Sequence, residues 1–121
     1  MKNIAICSAV FLFLACAGKQ DLSPSETSKI VAESFYNNDN STLKKHTTTE
    51  GYEGLKSIQD LMTAGKSGDS NFKVLEETAD DKTAWVRFTT SYEENPELFK
   101  LLKVDGQWKV TQQGPREKGP F

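Results

Sequence analysis

Acid–base chemistry in this chain would have to come from one histidine and from adjacent pairs of carboxylates. His46 follows Lys44 and Lys45, a composition typical of a solvated loop. The carboxylate pairs are Glu76 and Glu77, Asp80 and Asp81, and Glu93 and Glu94. Neighbouring residues of a strand point to opposite faces, so the two members of a pair do not converge on one proton. We interpret these pairs as solvated strand ends.

Other catalytic signals are absent from the sequence. It contains no glycine-rich phosphate loop, no nucleophile elbow and no spacing of metal ligands. We therefore predict no catalytic residues, no metal site and no cofactor. An enzyme remains the least favoured interpretation.

Cys16 is the residue with the clearest chemical prediction. It follows Ala15 and an apolar run of about eleven residues, 4–14, which is preceded by a positive end at Lys2. The run is too short for a membrane-spanning helix, which needs roughly 20 residues. The segment resembles a bacterial lipoprotein signal, although Phe13 replaces the usual leucine. This resemblance implies a lipid on the thiol of Cys16, removal of residues 1–15, and anchoring to the cell envelope.

Two further points follow from the same segment. Ala17, not aspartate, comes after the cysteine, and the resemblance then implies sorting to the outer membrane if the organism has two membranes. The alternative is an ordinary secretory signal in which Cys16 is incidental. Cys7 lies in the predicted signal, so no disulfide is expected in the exported chain.

Length and charge limit the remaining possibilities. The chain has 121 residues, 36% hydrophobic and 26% charged, with a formal charge of −2. These values fit one small folded domain and give no basic excess for nucleic acid. We predict a tether over 16–22, a domain over 23–113 and a flexible tail over 114–121.

Helices are predicted in the first half of the domain. Ser23, Pro24 and Glu26 form a capping box that opens a first helix, which ends at the asparagine-rich stretch 37–40. A short helix over 41–45 and a longer one over 50–64 follow. The apolar stripe predicted for the third helix is Tyr52, Leu55, Ile58, Leu61 and Met62.

Strands are predicted in the second half, over 71–77, 83–92, 98–104 and 107–112, with a break at Asn95-Pro96. Asp105-Gly106 is a typical two-residue hairpin turn, and it places Lys103 opposite Trp108 and Leu101 opposite Val110. Those residues are expected on the helix-facing side, which we call the inner face of the sheet.

Helices followed by an antiparallel meander define an α+β fold. The opening Ser23-Pro24, the helix end over 34–39 and the closing hairpin over 101–110 resemble the nuclear transport factor 2-like (cystatin-like) superfamily. They also resemble small bacterial lipoproteins of unknown function, some of which carry a lumazine-binding label. The resemblance covers residues 23–112 and implies helices packed on a curved four-stranded sheet, with a conical pocket between them. It also implies the least favoured alternative, an isomerase-like or dehydratase-like enzyme.

Two non-catalytic functions follow. The domain could bind a small apolar ligand, such as a flat lumazine-like heteroaromatic; alternatively, the same side chains fill the core. The predicted pocket residues are Tyr36, Tyr52, Phe88, Tyr92 and Trp108.

The opposite, outer face of the sheet offers Trp85, Leu102 and Val104 for contact with a second copy or an envelope protein. The alternative is that the tail covers this surface. We interpret the chain as a non-catalytic, membrane-anchored binding or interaction module.

Overall fold

Three helices precede a four-stranded antiparallel sheet in the computed structural model, which describes residues 21–121. The helices are α1 (Pro24–Tyr36), α2 (Asn40–Lys45) and α3 (Thr49–Thr63). The strands are β1 (Lys73–Ala79), β2 (Thr83–Thr90), β3 (Glu93–Val104) and β4 (Gln107–Thr111), and they lie in the order β1-β2-β3-β4. The predicted α+β order is confirmed.

The N-terminal segment is not part of this description. The predicted signal over 1–15, the lipidation site Cys16 and most of the predicted tether lie outside the described residues. Within residues 21–121, no helix is long and apolar enough to cross a membrane.

Side-chain caps set the starts of the helices. Ser23 Oγ accepts a hydrogen bond from the Glu26 amide at 3.1 Å, and Glu26 Oε1 accepts one from the Ser23 amide at 2.8 Å. This is the predicted capping box. Asp39 caps α2, and Thr48 caps α3 by accepting from the Gly51 amide.

The predicted break at Asn95-Pro96 is wrong, because both residues lie within β3. Phe88 pairs with Glu97 and Thr90 with Glu93, so residues 94–96 bulge opposite Thr89 alone. Proline is tolerated here because β4 stops where Lys100 pairs with Thr111, which leaves this stretch of β3 as a sheet edge.

The predicted hairpin register is confirmed, with Lys103 opposite Trp108 and Leu101 opposite Val110. The inner face of the sheet packs on the helices. The hydrophobic core combines buried residues of the helices with buried residues of the sheet: Val31, Ala32, Phe35, Tyr36, Leu43, Ala84, Val86, Phe88, Tyr92, Leu101 and Val110.

The predicted stripe of α3 is partly wrong. Ile58 is 40% exposed and Leu61 is 84% exposed. Gln59 is buried instead, and its amide donates to Phe35 O at 2.9 Å and to Asn40 Oδ1 at 3.0 Å. The inward side of α3 therefore follows residues 52, 55, 59 and 62, and a polar anchor replaces one apolar position of the expected stripe.

Candidate functional site: an inner-face carboxyl cluster

Two glutamates of β3 lie on the inner face of the sheet. Glu97 pairs with Phe88, and Glu93 pairs with Thr90, and both partners are buried inner-face residues. The bulge at residues 94–96 keeps both glutamates on this face. With Tyr36 of α1 and Lys66 of the loop after α3, they form what we call the inner-face carboxyl cluster.

Glu93 is paired within the cluster through one of its two carboxylate oxygens. Its Oε2 accepts hydrogen bonds from the Tyr36 hydroxyl at 3.1 Å and from Lys66 Nζ. The Lys66 hydrogen bond, aided by the one from Tyr36, lowers the pKa of Glu93 although partial burial opposes it. Glu93 begins β3, as the predicted strand end, and its half-buried carboxylate is ionised and paired.

Glu97 is in the opposite situation. Its Oε2 is buried and has no hydrogen-bond partner among residues 21–121. Burial, together with the negative charge of Glu93, raises the pKa of Glu97 to about 7, although Lys66 opposes this effect. Near neutral pH, Glu97 can therefore either hold or release a proton.

Aromatic rings surround these polar groups. Tyr36 stacks on Tyr92 with ring centroids 4.3 Å apart, and Phe88 lies 4.8 Å from both Phe72 and Phe99. Burial, followed by the charges of Glu97 and Glu93, raises the pKa of Tyr36, so its hydroxyl stays neutral and donates. The cluster thus combines one unpaired carboxylate with apolar walls.

The loop that supplies Lys66 is fixed by polar contacts. The Tyr92 hydroxyl donates to Gly68 O at 2.7 Å, and Ser70 Oγ donates to Glu33 Oε2 at 2.6 Å. The Ser91 amide also donates to Ser70 O. These bonds hold the loop against α1 and against the turn before β3, and so position Lys66 beside Glu93.

The five residues predicted to line one pocket do not come together. Tyr36, Phe88 and Tyr92 meet beside the cluster, but each is buried as part of the core. Trp108 pairs with Lys103, six residues along β3 from Glu97, or roughly 20 Å at ~3.3 Å per residue. Tyr52 lines a separate recess near Lys44 and Lys109.

A second recess lies between α3 and the end of β4. Its volume is about 350 Å³, and it is lined by residues that include Gly51, Leu55, Ile58, Phe99, Val110 and Gln112. It is mostly apolar and contains no carboxylate. Its polar lining groups are hydroxyl, amide and ammonium groups, among them those of Thr111, Gln112 and Lys100.

The outer face carries Trp85, Leu102 and Val104 as predicted, but the C-terminal residues lie over part of it. Gly119 packs so closely that a Cβ there would lie 2.6 Å from Leu98 Cδ2 and 3.3 Å from Trp85 Cε3. Lys100 Nζ and Glu117 Oε2 form an ion pair at 2.7 Å. The tail thus covers Trp85, which is the stated alternative to an open contact surface.

Sequence reasoning missed Glu97, although a signal for it exists. Glu97 lies two residues before Phe99 and four before Leu101, so the alternation of side chains along a strand places all three on the inner face. Because a break was expected at Asn95-Pro96, the predicted strand began at residue 98 and left Glu97 out. Within residues 21–121, no group of three His, Cys, Asp or Glu side chains is arranged to hold a metal.

Comparison with solved structures defines the fold class. No protein-family model matches the sequence, and no curated protein is significantly similar to it. A Campylobacter jejuni protein described as a "Putative NTF2-like transpeptidase" superposes with a TM-score of 0.63 at 14% identity, covering 76% of this chain and all of that one.

A SEC-C motif-containing protein from Rhodopseudomonas palustris gives a TM-score of 0.48 at 13% identity, over 82% of this chain and 83% of that one. The likeness to the Campylobacter protein identifies a nuclear transport factor 2-like fold. The fold predicted from the sequence is confirmed.

Proposed function

We propose that this chain is a lipid-anchored envelope protein whose domain binds a small ligand at the inner-face carboxyl cluster. The observation that carries this proposal is the buried Oε2 of Glu97, which has no hydrogen-bond partner in the part of the chain that the structure describes. A buried polar atom without a partner costs free energy in the folded state, and a ligand that donates a hydrogen bond removes that cost. Apolar walls with a few fixed polar groups are typical of ligand sites.

Binding is a better account of the cluster than catalysis. The Tyr36 hydroxyl donates its proton to Glu93 Oε2, and Lys66 Nζ forms an ion pair with the same oxygen. Glu97 Oε2 is buried and has no hydrogen-bond partner among residues 21–121, so it is a desolvated acceptor. A single acceptor beside aromatic rings supports recognition of a donor group on a largely apolar molecule.

A flat heteroaromatic related to lumazine is one such molecule. Its ring N–H groups would donate to Glu97 while its faces contact the neighbouring aromatic side chains. Titration of the full-length chain with lumazine, followed by thermal unfolding, tests the site. If roughly millimolar lumazine does not raise the unfolding temperature of the domain, binding of this ligand class is contradicted.

The lipid anchor would hold the domain close to the membrane. Cys16 lies seven residues before Ser23, the first capped position of the fold, and that length reaches only about 20–25 Å when extended. The body of the domain would therefore lie next to the lipid surface, in the outer membrane if the organism has two membranes.

Replacement of the cysteine tests this anchor. Cys16→Ser should abolish incorporation of labelled palmitate and prevent normal processing, because the thiol is the acceptor of the lipid. Cys7→Ser is the matched control and should label normally, since residue 7 lies in the segment that is removed. A Cys16→Ser protein that still partitions into detergent at the mature size would contradict lipidation.

A further inference from the structure

The charges of the carboxyl cluster do not balance. Glu93 on β3 is neutralised by Lys66 from the loop after α3, through a direct ion pair. Tyr36 on α1 is neutral and donates to the same carboxylate. Glu97 faces these groups and Phe88 of β2, and no positive side chain among the described residues contacts its Oε2. When Glu97 is ionised, the cluster has one uncompensated negative charge.

We propose that the ligand is a small organic cation whose ammonium group pairs with Glu97, an inference that rests on the binding function proposed above. The ligand would carry a primary or secondary amine on an apolar or aromatic body. Such a molecule supplies the missing positive charge and donates a hydrogen bond to Oε2. Its body would contact the partly buried rings of Phe72 and Phe99, which pack on Phe88 beside Glu97.

The surroundings favour an organic cation over a metal ion. Calcium and magnesium take six or more oxygen ligands, most of them from carboxylates, carbonyls and water. Here Glu93 Oε2 is already held by Lys66 and Tyr36, and no group of three His, Cys, Asp or Glu side chains within residues 21–121 is arranged to hold a metal. Aromatic faces, by contrast, attract ammonium groups and contact apolar bodies.

Binding of such a ligand would be coupled to the proton on Glu97. The pKa of Glu97 is raised to about 7, whereas the lowered pKa of Glu93 keeps that group ionised and the raised pKa of Tyr36 keeps the phenol neutral. Of these groups, Glu97 is the one that changes charge around neutrality. Affinity for a cation should therefore rise by about tenfold from about pH 6 to about pH 8, as Glu97 becomes ionised.

A pair of matched probes tests this inference. Phenethylamine and 2-phenylethanol share one aromatic body and differ in having an ammonium or a hydroxyl group. Each is titrated calorimetrically into the full-length chain in a non-ionic detergent, with protein-free micelles as the blank. The variants are Glu97→Gln and, as the control, Glu94→Gln, which removes the same charge from a neighbouring exposed position on the bulge.

The wild-type chain should prefer the amine over the alcohol by about tenfold or more, as expected for a hydrogen bond to a charged group. Glu97→Gln should remove that preference, while Glu94→Gln should keep it. The amine alone should bind more tightly as the pH rises. Gln is nearly isosteric with Glu, and circular dichroism confirms that the variant is folded.

Several outcomes would overturn the inference. Equal affinity for amine and alcohol, or an amine preference that survives in Glu97→Gln, excludes recognition by this carboxylate. Binding of calcium that depends on Glu97 would assign the site to a metal ion. If lumazine binds but the amine shows no preference, the cationic class fails while the proposed binding function stands. If none of the three organic probes binds, both fail.

Discussion

Glu93 and Glu97 show how strongly local contacts control a carboxyl group. Both lie on the inner face of β3, four positions apart. Glu93 accepts two hydrogen bonds, one of them from a lysine, and its pKa is lowered. Glu97 loses solvent without gaining a partner for Oε2, and its pKa is raised. The ionised form of Glu97 is therefore unfavourable in the folded state.

Glu97 should make the stability of the domain depend on pH. The pKa of Glu97 is about 7 in the folded state against 4.5 for the unperturbed group. The folded state thus binds more protons than the unfolded state between these pH values. The contribution of Glu97 to the free energy of unfolding is fully present below about pH 4.5 and is lost as the pH rises through about 7. The loss amounts to about 3 kcal/mol.

Urea unfolding at about pH 5 and about pH 8 measures this loss. The free energy of unfolding of Glu97→Gln should change far less between the two pH values than that of the wild-type chain. Glu94→Gln is the control and should follow the wild type, since its side chain is exposed. A Glu97→Gln variant that loses as much stability as the wild type would show that Glu97 titrates normally.

At the scale of elements, the segment between α2 and α3 is hydrogen-bonded to β4 along the edge that has no neighbouring strand. The Val110 amide donates to His46 O, and the Thr48 amide donates to Val110 O, both at 2.9 Å. Thr48 Oγ1 and Thr111 Oγ1 lie 2.8 Å apart. These bonds satisfy the free edge of β4, which protects it from pairing with another strand. They also bring the first turn of α3 very close to the strand.

Gly51 permits this close approach. A Cβ on residue 51 would lie 2.5 Å from Val110 O, which is backbone and cannot move aside, whereas one on Gly54 would meet only the flexible side chain of Gln112 at 3.3 Å. Gly51→Ala should therefore destabilise the domain by about 1–3 kcal/mol. Gly54→Ala should be neutral or stabilise it by up to about 1 kcal/mol, through helix propensity.

Thermal and urea unfolding of the two variants side by side measures this difference. Because both substitutions add one methyl group to the same helix, the comparison isolates the contact with β4. Equal stabilities of Gly51→Ala and Gly54→Ala would mean that α3 does not pack on β4 at this distance.

The fold could be predicted from the sequence wherever local signals agree with the tertiary structure. The capping box at Ser23 and the Asp-Gly turn are short-range features, and each determines an element boundary and a register directly. The facing of α3 could not be predicted in this way. Gln59 is buried because Phe35 O and Asn40 Oδ1 accept from its amide, and those partners belong to other elements.

The candidate site was less predictable than the fold. Three of the expected pocket residues, Tyr36, Phe88 and Tyr92, do meet, since Tyr36 at the end of α1 packs on the inner face near the end of the sheet that carries the other two. Glu97 was missed because the expected break at Asn95-Pro96 kept it out of the predicted strand, and Lys66 was missed because the loop after α3 has no periodicity. Long-range contacts across a bulge and a loop are not encoded in local patterns.

At the scale of the whole molecule, the sheet is covered on both sides. Helices pack on its inner face, and residues 114–121 lie over part of its outer face. Glu117 bonds to the Gly114 amide and to Lys100 Nζ, and Gly119 lies against Trp85. The outer apolar residues Leu102 and Val104 remain half-exposed. We propose that a second copy of the chain contacts this face when the tail leaves it.

Deletion of residues 115–121 tests this proposal. The deletion removes the cover of Trp85 without removing any residue of the core. In a Trp108→Phe background, where Trp85 is the one tryptophan left, acrylamide quenching should increase on deletion. Sedimentation should then show dimers of the truncated chain and monomers of the untruncated chain, because an apolar patch with a polar rim favours self-association.

Glu117→Gln is the matched control, since it weakens the ion pair with Lys100 while keeping Gly119 on the Trp85 ring. Quenching of Trp85 in this variant should stay close to that of the untruncated chain. A truncated chain that remains folded and monomeric, with Trp85 now accessible, would exclude this face as a dimer contact. Quenching that does not change on deletion would instead show that the tail does not cover Trp85 in solution.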